Sequence, residues 1–190
     1  MILISRRNSS ILQIPNNISK SNLLIMIKKL GIDISYEPDF DRVPELLVLV
    51  DCQYGQRNVT TTEAKNIAVI DHHQICSKLP NLSIVRPELG SCSTILWNMI
   101  EAEGFECDDD PNLTTALYYG LYTDTGKLSE VSHPLDRDMI DDLNYNKSLI
   151  AYMSNSNYSL DEFQLTGRAI LNGEYDPVNR AMIVESEPCD

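Results

Sequence analysis

The apolar positions of this chain fall into short runs that are typical of buried strands. Residues 46–50, LLVLV, and residues 67–70, IAVI, are apolar at every position, as in strands that are covered on both faces of a parallel sheet. Shorter apolar runs predict further strands at residues 2–4, 32–36 and 180–185.

Helical spacing of apolar residues, with start and stop signals, predicts the helices between these strands. Gly31 ends the first such pattern, and Asp110-Pro111 places a cap before a proline in the first turn. Ser159 and Glu162 form a capping box. The predicted helices cover residues 18–30, 90–104, 110–122, 134–143, 149–153 and 159–171.

Strands that alternate with helices indicate an α/β fold. We expect a Rossmann-like domain, with a parallel five-stranded sheet flanked by helices. The chain has 190 residues, of which 43% are hydrophobic, enough for one domain with a substantial core. No internal repeat or low-complexity linker divides it.

Three features favour a cytoplasmic protein over a membrane or secreted one. The chain has no run of about 18 apolar residues, which is the length that a membrane span needs. Its start, MILISRRNSS, lacks the long apolar stretch of a signal peptide. The five cysteines are odd in number and contain no CxxC pair, so we expect reduced thiols.

The charge balance argues against binding of long nucleic acids. With 15 basic and 28 acidic residues, the formal net charge is −13, which should repel a polyanion. Divalent cations held by carboxylates would reverse the sign locally. Solubility alone is the competing explanation of the acidic balance.

Candidate chemistry gathers where the two apolar strands end. Asp51 follows the first strand, and Asp71 with His72 and His73 follows the second. Asp124 lies in GLYTDTG, past a predicted helix. Because ligands bind outside the carboxyl ends of parallel strands, we expect Asp51 and Asp71 to point toward the same site. Carboxylates with imidazole suit Mn²⁺, Mg²⁺ or Fe²⁺, although each residue also has a structural interpretation as a turn aspartate or a core histidine.

A dication would explain why several carboxylates share one edge of a sheet, because it removes their mutual repulsion and supplies a Lewis acid for phosphate. A histidine that ligates a metal also needs its second ring nitrogen oriented by a carboxylate or a carbonyl. Asp71, adjacent in sequence, is a candidate for that role.

Three segments together resemble the DHH phosphoesterase family. They are VIDHH, the sequence GLYTDTG about 50 residues later, and GSCSTILWNMIEAEG between them. The resemblance covers residues 46–143 well and residues 2–30 weakly. It implies a metal-dependent hydrolase that acts on a phosphodiester or phosphomonoester of a small nucleotide or oligonucleotide.

The resemblance also implies residue roles around two metal ions. Asp51 would bridge the ions, His72 would ligate one, and Asp124 would complete the second site. His73 would contact the substrate phosphate. Asp71 would not bind an ion itself but would support the residues that do. The implied cofactor is Mn²⁺ or Mg²⁺.

The first family motif is degenerate in this chain. Members carry a histidine after the first strand and aspartates four and six residues later, and these positions hold Arg6, Ser10 and Leu12. A single ion held by Asp51, His72 and Asp124 is therefore one alternative. In a second alternative no ion binds, and Arg6 with Arg7 substitutes for the lost cation and contacts the substrate phosphate.

Two organisational expectations complete the picture. Residues 1–158 are expected to form the DHH-like domain, and residues 159–190 a linker helix and the first strand of a second domain that is missing or truncated. The leading function is phosphoester hydrolysis. The alternative is a catalytically degenerate protein that binds metal, nucleotide or a protein partner, and a homodimer is also considered.

Overall fold

The computed structural model describes residues 2–6, 9–14, 18–36, 43–56, 59, 63–76, 78–156 and 160–184, with the backbone alone for residues 2–6, 9–14 and 35–36. The described strands are β1 (Ile2–Arg6), β2 (Ser9–Ile14), β3 (Ser35–Tyr36), β4 (Leu46–Val50), β5 (Asn66–Asp71), β6 (Leu82–Val85), β7 (Glu174–Asp176) and β8 (Ala181–Ile183). The described α-helices are α1 (Ser21–Leu30), α2 (Cys92–Ala102), α3 (Pro111–Asp124), α4 (Pro134–Asp142), α5 (Lys147–Asn155) and α6 (Leu160–Asn172).

The main sheet has six strands in the order β3-β2-β1-β4-β5-β6. β4, β5 and β6 form a continuous parallel group, whereas β1 is antiparallel to both β2 and β4. The prediction of a parallel five-stranded sheet was therefore wrong, although the α/β class with a parallel sheet and flanking helices is confirmed. Only residues 7 and 8 separate β1 from β2, a connection that antiparallel strands allow and parallel strands do not.

The parallel core strands β4 and β5 are buried chiefly on one face, while Val48 and Ile70 on the other face are half-buried, so the expectation of strands covered on both faces holds only in part. Leu47, Leu49 and Val69 are fully buried and form the centre of one apolar cluster. In the register of β4 and β5, Val50 pairs with Ile70, so the carboxyl ends of these two strands lie side by side. This pairing brings the residues that follow each strand together at one edge of the sheet.

The helices form a second apolar cluster, centred on α3. Asp110 caps α3 by accepting from the backbone N–H groups of Asn112 and Leu113, and Pro111 occupies the first turn, as predicted. The cluster packs α2, α3, α4 and α5 together. Its buried members are Trp97, Cys107, Leu117, Tyr118, Tyr119, Leu121, Met139, Leu143, Ile150 and Met153. α3 is thereby held rigidly, which positions its last residue at the sheet edge.

The C-terminal elements are set apart from this core. α6 has no buried residue. β8 pairs with β7 in an antiparallel two-stranded sheet, a partner strand that the apolar pattern did not reveal. Ser159 of the predicted capping box lies outside the described residues. Of the helices in the described ranges, none has the length and apolar character that crossing a membrane requires.

Candidate functional site

Three segments of the chain meet at the carboxyl edge of β4 and β5. Asp51 follows β4 directly, Asp71 is the last residue of β5, and His72 and His73 come next. Asp124 is the last residue of α3. The structure thus brings together the predicted site residues from both strand ends and from GLYTDTG.

The donor atoms of this cluster lie close to one another. His72 Nε2 is 3.3 Å from Asp51 Oδ1 and 4.0 Å from Asp124 Oδ2. His73 Nδ1 is 3.9 Å from Asp51 Oδ1. One ligand atom from each of Asp51, His72 and His73 falls within 4.8 Å of the others. Such spacing lets the side chains share a single small ion.

Asp51 has an unusual backbone conformation at the end of its strand. Its φ is 63°, in the left-handed region that side chains other than asparagine and aspartate rarely adopt. Its backbone N–H donates to Ile70 O over 2.9 Å, which holds the turn against β5. Backbone strain of this kind often marks functional sites, and here it aims the carboxylate at the histidines.

His73 is oriented by Asp71. The fully buried Asp71 carboxylate accepts from His73 Nδ1 over 2.7 Å and from the His72 backbone N–H over 2.9 Å. Burial alone would raise the pKa of Asp71, but the hydrogen bonds from His73 and Gln53 outweigh burial and lower that pKa. Asp71 therefore stays ionised, and the Nε2 of His73, a residue whose side chain is 56% exposed, is free of this contact.

Gln53 completes this arrangement, and the sequence carried no signal for it. Its fully buried amide donates from Nε2 to Asp71 Oδ2 over 2.8 Å and to the backbone oxygen of Gln74 over 3.1 Å. Its Oε1 accepts from the backbone N–H of Cys76 over 3.3 Å. Gln53 thus fixes both the second oxygen of Asp71 and the segment that follows the histidines.

His72 is oriented by a main-chain carbonyl instead of by the neighbouring aspartate. Its Nδ1 lies 3.3 Å from Leu89 O, which accepts, and its Nε2 faces Asp51 and Asp124. The hydrogen bond to Asp51 raises the pKa of His72 and outweighs the opposing effect of burial. His72 therefore offers Nε2 to whatever occupies the space between the two carboxylates.

The pKa of Asp124 is affected by burial and by the nearby carboxylate of Asp51. Burial and the nearby Asp51 raise the pKa of the Asp124 carboxyl, while the two histidines lower it only partly. Three successive residues with positive φ follow it closely, Gly126, Lys127 and Leu128. A positive ion between Asp51 and Asp124 would relieve their repulsion.

Cys92 adjoins the site without the properties of a nucleophile. Its Sγ is buried and donates to Ile70 O over 3.3 Å. Burial, then the charge of Asp51, raises the pKa of the Cys92 thiol to about 12. The thiol consequently stays protonated near neutral pH, and the available donors are carboxylate oxygens and imidazole nitrogens.

The register of β1 places Arg6 away from this edge. Because β1 is antiparallel to β4, Ser5 pairs with Leu46, and Arg6 follows beyond the amino end of β4. Asp51 lies past the other end of β4, roughly 20 Å away along the strand. This backbone placement corrects the expectation that Arg6 lies beside Asp51. Arg7 lies outside the described residues.

The pairing of β1 with β2 also locates the other two positions of the degenerate motif, Ser10 and Leu12, and shows that β2, not β1, runs toward the site. Ser10 pairs with Ser5 at the far end of β1, and Leu12 pairs with Leu3. β2 runs in the direction of β4, so its last residue, Ile14, points the chain toward the edge of the site. Residues 15–17, which come next, lie outside the described residues. The first 32 residues contain no aspartate, glutamate or histidine, so no alignment of this segment restores the missing ligands.

Comparisons with known sequences agree with this geometry. A model of the DHH family, N-terminal domain, matches residues 4–121. The uncharacterized protein MJ1633 of Methanocaldococcus jannaschii is 27% identical over 161 residues, which are 82% of this chain and 33% of that protein. The chain thus spans about a third of the length of this curated relative.

Two solved structures match the chain at low sequence identity. An exopolyphosphatase-related protein from Bacteroides fragilis has a TM-score of 0.68 and 19% identity, over 86% of this chain and 52% of that chain. A putative family II inorganic pyrophosphatase from Methanococcus jannaschii has a TM-score of 0.48 and 19% identity, over 77% of this chain and 48% of that chain. The first likeness confirms the α/β fold.

Proposed function

The chain belongs to the DHH family, as the match over residues 4–121 shows, and from this premise we propose that it hydrolyses a phosphoester with a bound divalent cation. The observation that carries the proposal is the meeting of Asp51, His72 and His73 within 4.8 Å at the carboxyl edge of the sheet, with Asp124 beside His72. Mn²⁺ and Mg²⁺ both suit this set of oxygen and imidazole donors.

Asp51, His72 and Asp124 are the proposed ligands. The His72 Nε2 atom lies within 4.0 Å of carboxylate oxygens from both aspartates, which supports a shared site. When bound, a divalent cation acts as a Lewis acid toward a phosphate oxygen and acidifies a nearby water. Asp51 and Asp124 place carboxylates where that cation would sit, and burial first, then the charge of Asp51, raises the pKa of Asp124.

His73 is the proposed contact to the substrate phosphate. Its Nδ1 donates to the ionised Asp71, and the exposed side of the ring presents Nε2. With a proton on Nε2, His73 would donate to an anionic oxygen of the substrate. Asp71 and Gln53 keep the ring from rotating away, so the donor is already placed before the substrate arrives.

A small nucleotide or a short oligonucleotide is the proposed substrate class. The formal net charge of −13 disfavours a long polyanion, which needs many basic contacts. A small phosphoester needs only a local positive site, and the cation with His73 would supply it. We also propose that residues 159–190 lie outside the DHH-like domain, which the exposed α6 supports.

A second candidate function follows from the first 32 residues. They contain no carboxylate and no histidine, so only one ion has a complete set of proposed ligands. With a single Lewis acid, hydrolysis would be slow, and the protein would act chiefly by binding a metal, a nucleotide or a protein partner. This alternative keeps the same ligands, Asp51, His72 and Asp124, and differs in turnover.

Hydrolysis and Mn²⁺ binding, measured on the same preparation, separate the two functions. Full-length protein is assayed with Mn²⁺ on bis(p-nitrophenyl) phosphate and on a dinucleotide, beside Asp124→Asn and a control, Asp138→Asn, in which an exposed acid loses the same charge. Hydrolysis that is lost only in Asp124→Asn supports the enzyme. Mn²⁺ binding without hydrolysis favours the alternative, and absence of both contradicts the proposed site.

A further inference from the structure

We propose that Asp136 is a positioning residue that fixes the orientation of His72 through the Leu89–Gly90 peptide group. The inference rests on the proposed function only for the role of His72 as a ligand. The hydrogen bonds themselves belong to the protein without any ion. Asp136 lies in the first turn of α4 and belongs to none of the three segments that resemble the DHH family.

Two contacts share one peptide unit. The backbone N–H of Gly90 donates to Asp136 Oδ2 over 2.9 Å. The carbonyl of Leu89, on the other side of the same peptide bond, accepts from His72 Nδ1 at 3.3 Å. Because a peptide group is planar, fixing the direction of its N–H also fixes the direction of its C=O. The carboxylate of Asp136 therefore determines where the acceptor for His72 points.

The Asp136 carboxylate is itself held without freedom to turn. Asp136 is fully buried, and its Oδ1 accepts from the hydroxyl of Thr94 in α2 over 2.7 Å. A buried negative charge polarises the peptide whose N–H it accepts and strengthens the acceptor at the opposite end. The bond from His72 is long at 3.3 Å, so its strength depends on that alignment.

Gly90 allows the close approach that this arrangement needs. A Cβ atom at Gly90 would lie 2.6 Å from Thr125 Cγ2 and 3.1 Å from Asp136 Oδ2. Any side chain there would push the peptide away from the carboxylate. Both sides of the peptide are thus confined, by Asp136 and by the end of α3.

A purely structural role makes a different prediction. An acidic residue in the first turn of a helix is favourable with the helix dipole, and Asp136 also ties α4 to α2. If Asp136 only stabilised the fold, loss of its bond to Thr94 and loss of its bond to Gly90 would affect His72 equally. Thr94→Val removes the Thr94 bond alone, and Asp136→Leu, which has a similar shape but no polar atom, removes the Gly90 bond as well.

Nuclear magnetic resonance of the histidine rings, on the metal-free protein, reads out the bond directly. The chain has only three histidines, and His72→Gln assigns the relevant ring signal. In the wild type and in Thr94→Val, the His72 Nδ1–H signal is expected downfield and slow to exchange. In Asp136→Leu its exchange with water is expected at least tenfold faster. Equal behaviour of the two variants would overturn the proposal.

Mn²⁺ affinity is the second readout. Loss of a group that orients a ligand costs about 10–100-fold in metal affinity, which is expected for Asp136→Leu and not for Thr94→Val. If the wild type hydrolyses nothing but the Nδ1–H result holds, the proposed function fails while this inference stands. If the wild type hydrolyses phosphoesters but the two variants match in the ring signal, the inference fails alone.

A second route avoids dependence on one variant. If Asp136→Leu does not fold, Gly90→Ala is made in a Thr125→Ser background, which removes the Thr125 methyl that a new Cβ would meet. The new Cβ still lies close to the Asp136 carboxylate and to Leu121 Cδ1, and the shift of the Gly90 N–H away from Asp136 is expected to give the same faster exchange of His72 Nδ1–H. An unchanged ring signal in this folded variant would contradict the proposal.

Discussion

Asp71 Oδ1 and His73 Nδ1 lie 2.7 Å apart, and the carboxylate that accepts this bond is fully buried. The adjacent aspartate of the Asp-His-His sequence thus orients the second histidine. The first histidine takes its orientation from Leu89 O, which lies 17 positions further along the chain. Two neighbouring imidazoles are therefore fixed by two different acceptors, and each can be perturbed separately.

Asp71→Asn is expected to destabilise the fold and loosen His73. Asp71 accepts from His73 and from the His72 backbone on one oxygen and from Gln53 on the other. An amide cannot accept at both ends, so one buried donor is left unpaired, at a cost of about 1–3 kcal/mol. Urea unfolding of Asp71→Asn, with the exposed-site variant Asp141→Asn as the control, measures this loss in the free energy of unfolding. A loss no larger than that of Asp141→Asn would contradict this assignment.

Asp51→Asn and Asp51→Ala are expected to lose the cation equally but to differ in stability. Both remove the carboxylate that faces His72 Nε2. Asparagine tolerates the left-handed φ of 63°, whereas alanine meets a steric penalty of about 1–2 kcal/mol. Mn²⁺ titration and thermal unfolding of the two variants test the two parts. Equal stability of the variants would show that the turn after β4 carries no such strain.

Cation binding is expected to strengthen as pH rises through the pKa of His72. The hydrogen bond to Asp51 raises this pKa above the ordinary value of about 6.5, and a ligand must be neutral. The His72–Asp51 pair acts oppositely on the metal-free fold. Its stabilisation is fully present below about pH 6.5 and is lost as pH rises through the folded pKa.

Mn²⁺ dissociation constants measured between about pH 6 and 8 should therefore fall up to about tenfold per pH unit, for one released proton. In parallel, the metal-free protein should lose stability relative to His72→Gln over the range that ends at the raised pKa. Affinity that is flat across this range would exclude His72 as the titrating ligand.

Cys92 is expected to resist thiol reagents in the folded protein. Its pKa of about 12, raised chiefly by burial, leaves almost no thiolate near neutral pH. Cys76 is exposed and serves as the internal comparison. Mass-spectrometric mapping after brief alkylation should find Cys76 modified well before Cys92. Early labelling of Cys92 would show that the protein opens readily at the sheet edge.

The C-terminal ends of β4 and β5 were predictable because their causes are local. LLVLVD and IAVID are apolar runs that stop at an aspartate, and parallel strands bring such ends to one edge. The helix that begins at Asp110-Pro111 was equally predictable from its cap. These local patterns are enough to predict that Asp51 and the Asp-His-His sequence lie in the same region of the fold, whereas Asp124 was added to them by the family resemblance.

The reversal of β1 could not be read from hydrophobicity, because an apolar strand of a few residues has the same pattern in either direction. Strand direction depends on pairing with β2 and β4, and the two-residue connection to β2 permits the antiparallel choice. This pairing places Arg6 beyond the amino end of β4, at the opposite end from the site. The roles of Gln53 and Asp136 likewise arise from packing, since each bonds to residues that the sequence does not place beside it.

Strand ends and residue types are local properties, so the sequence alone indicates which strand-end ligand atoms lie close together. The orientation of those atoms depends on the packing of helices and sheet. This packing assigned Asp71 to His73, Leu89 O to His72 and Asp136 to the Gly90 N–H, the last across 46 positions of the chain. Such bonds exist only once helices and sheet have packed, because burial then forces each polar group to find a partner.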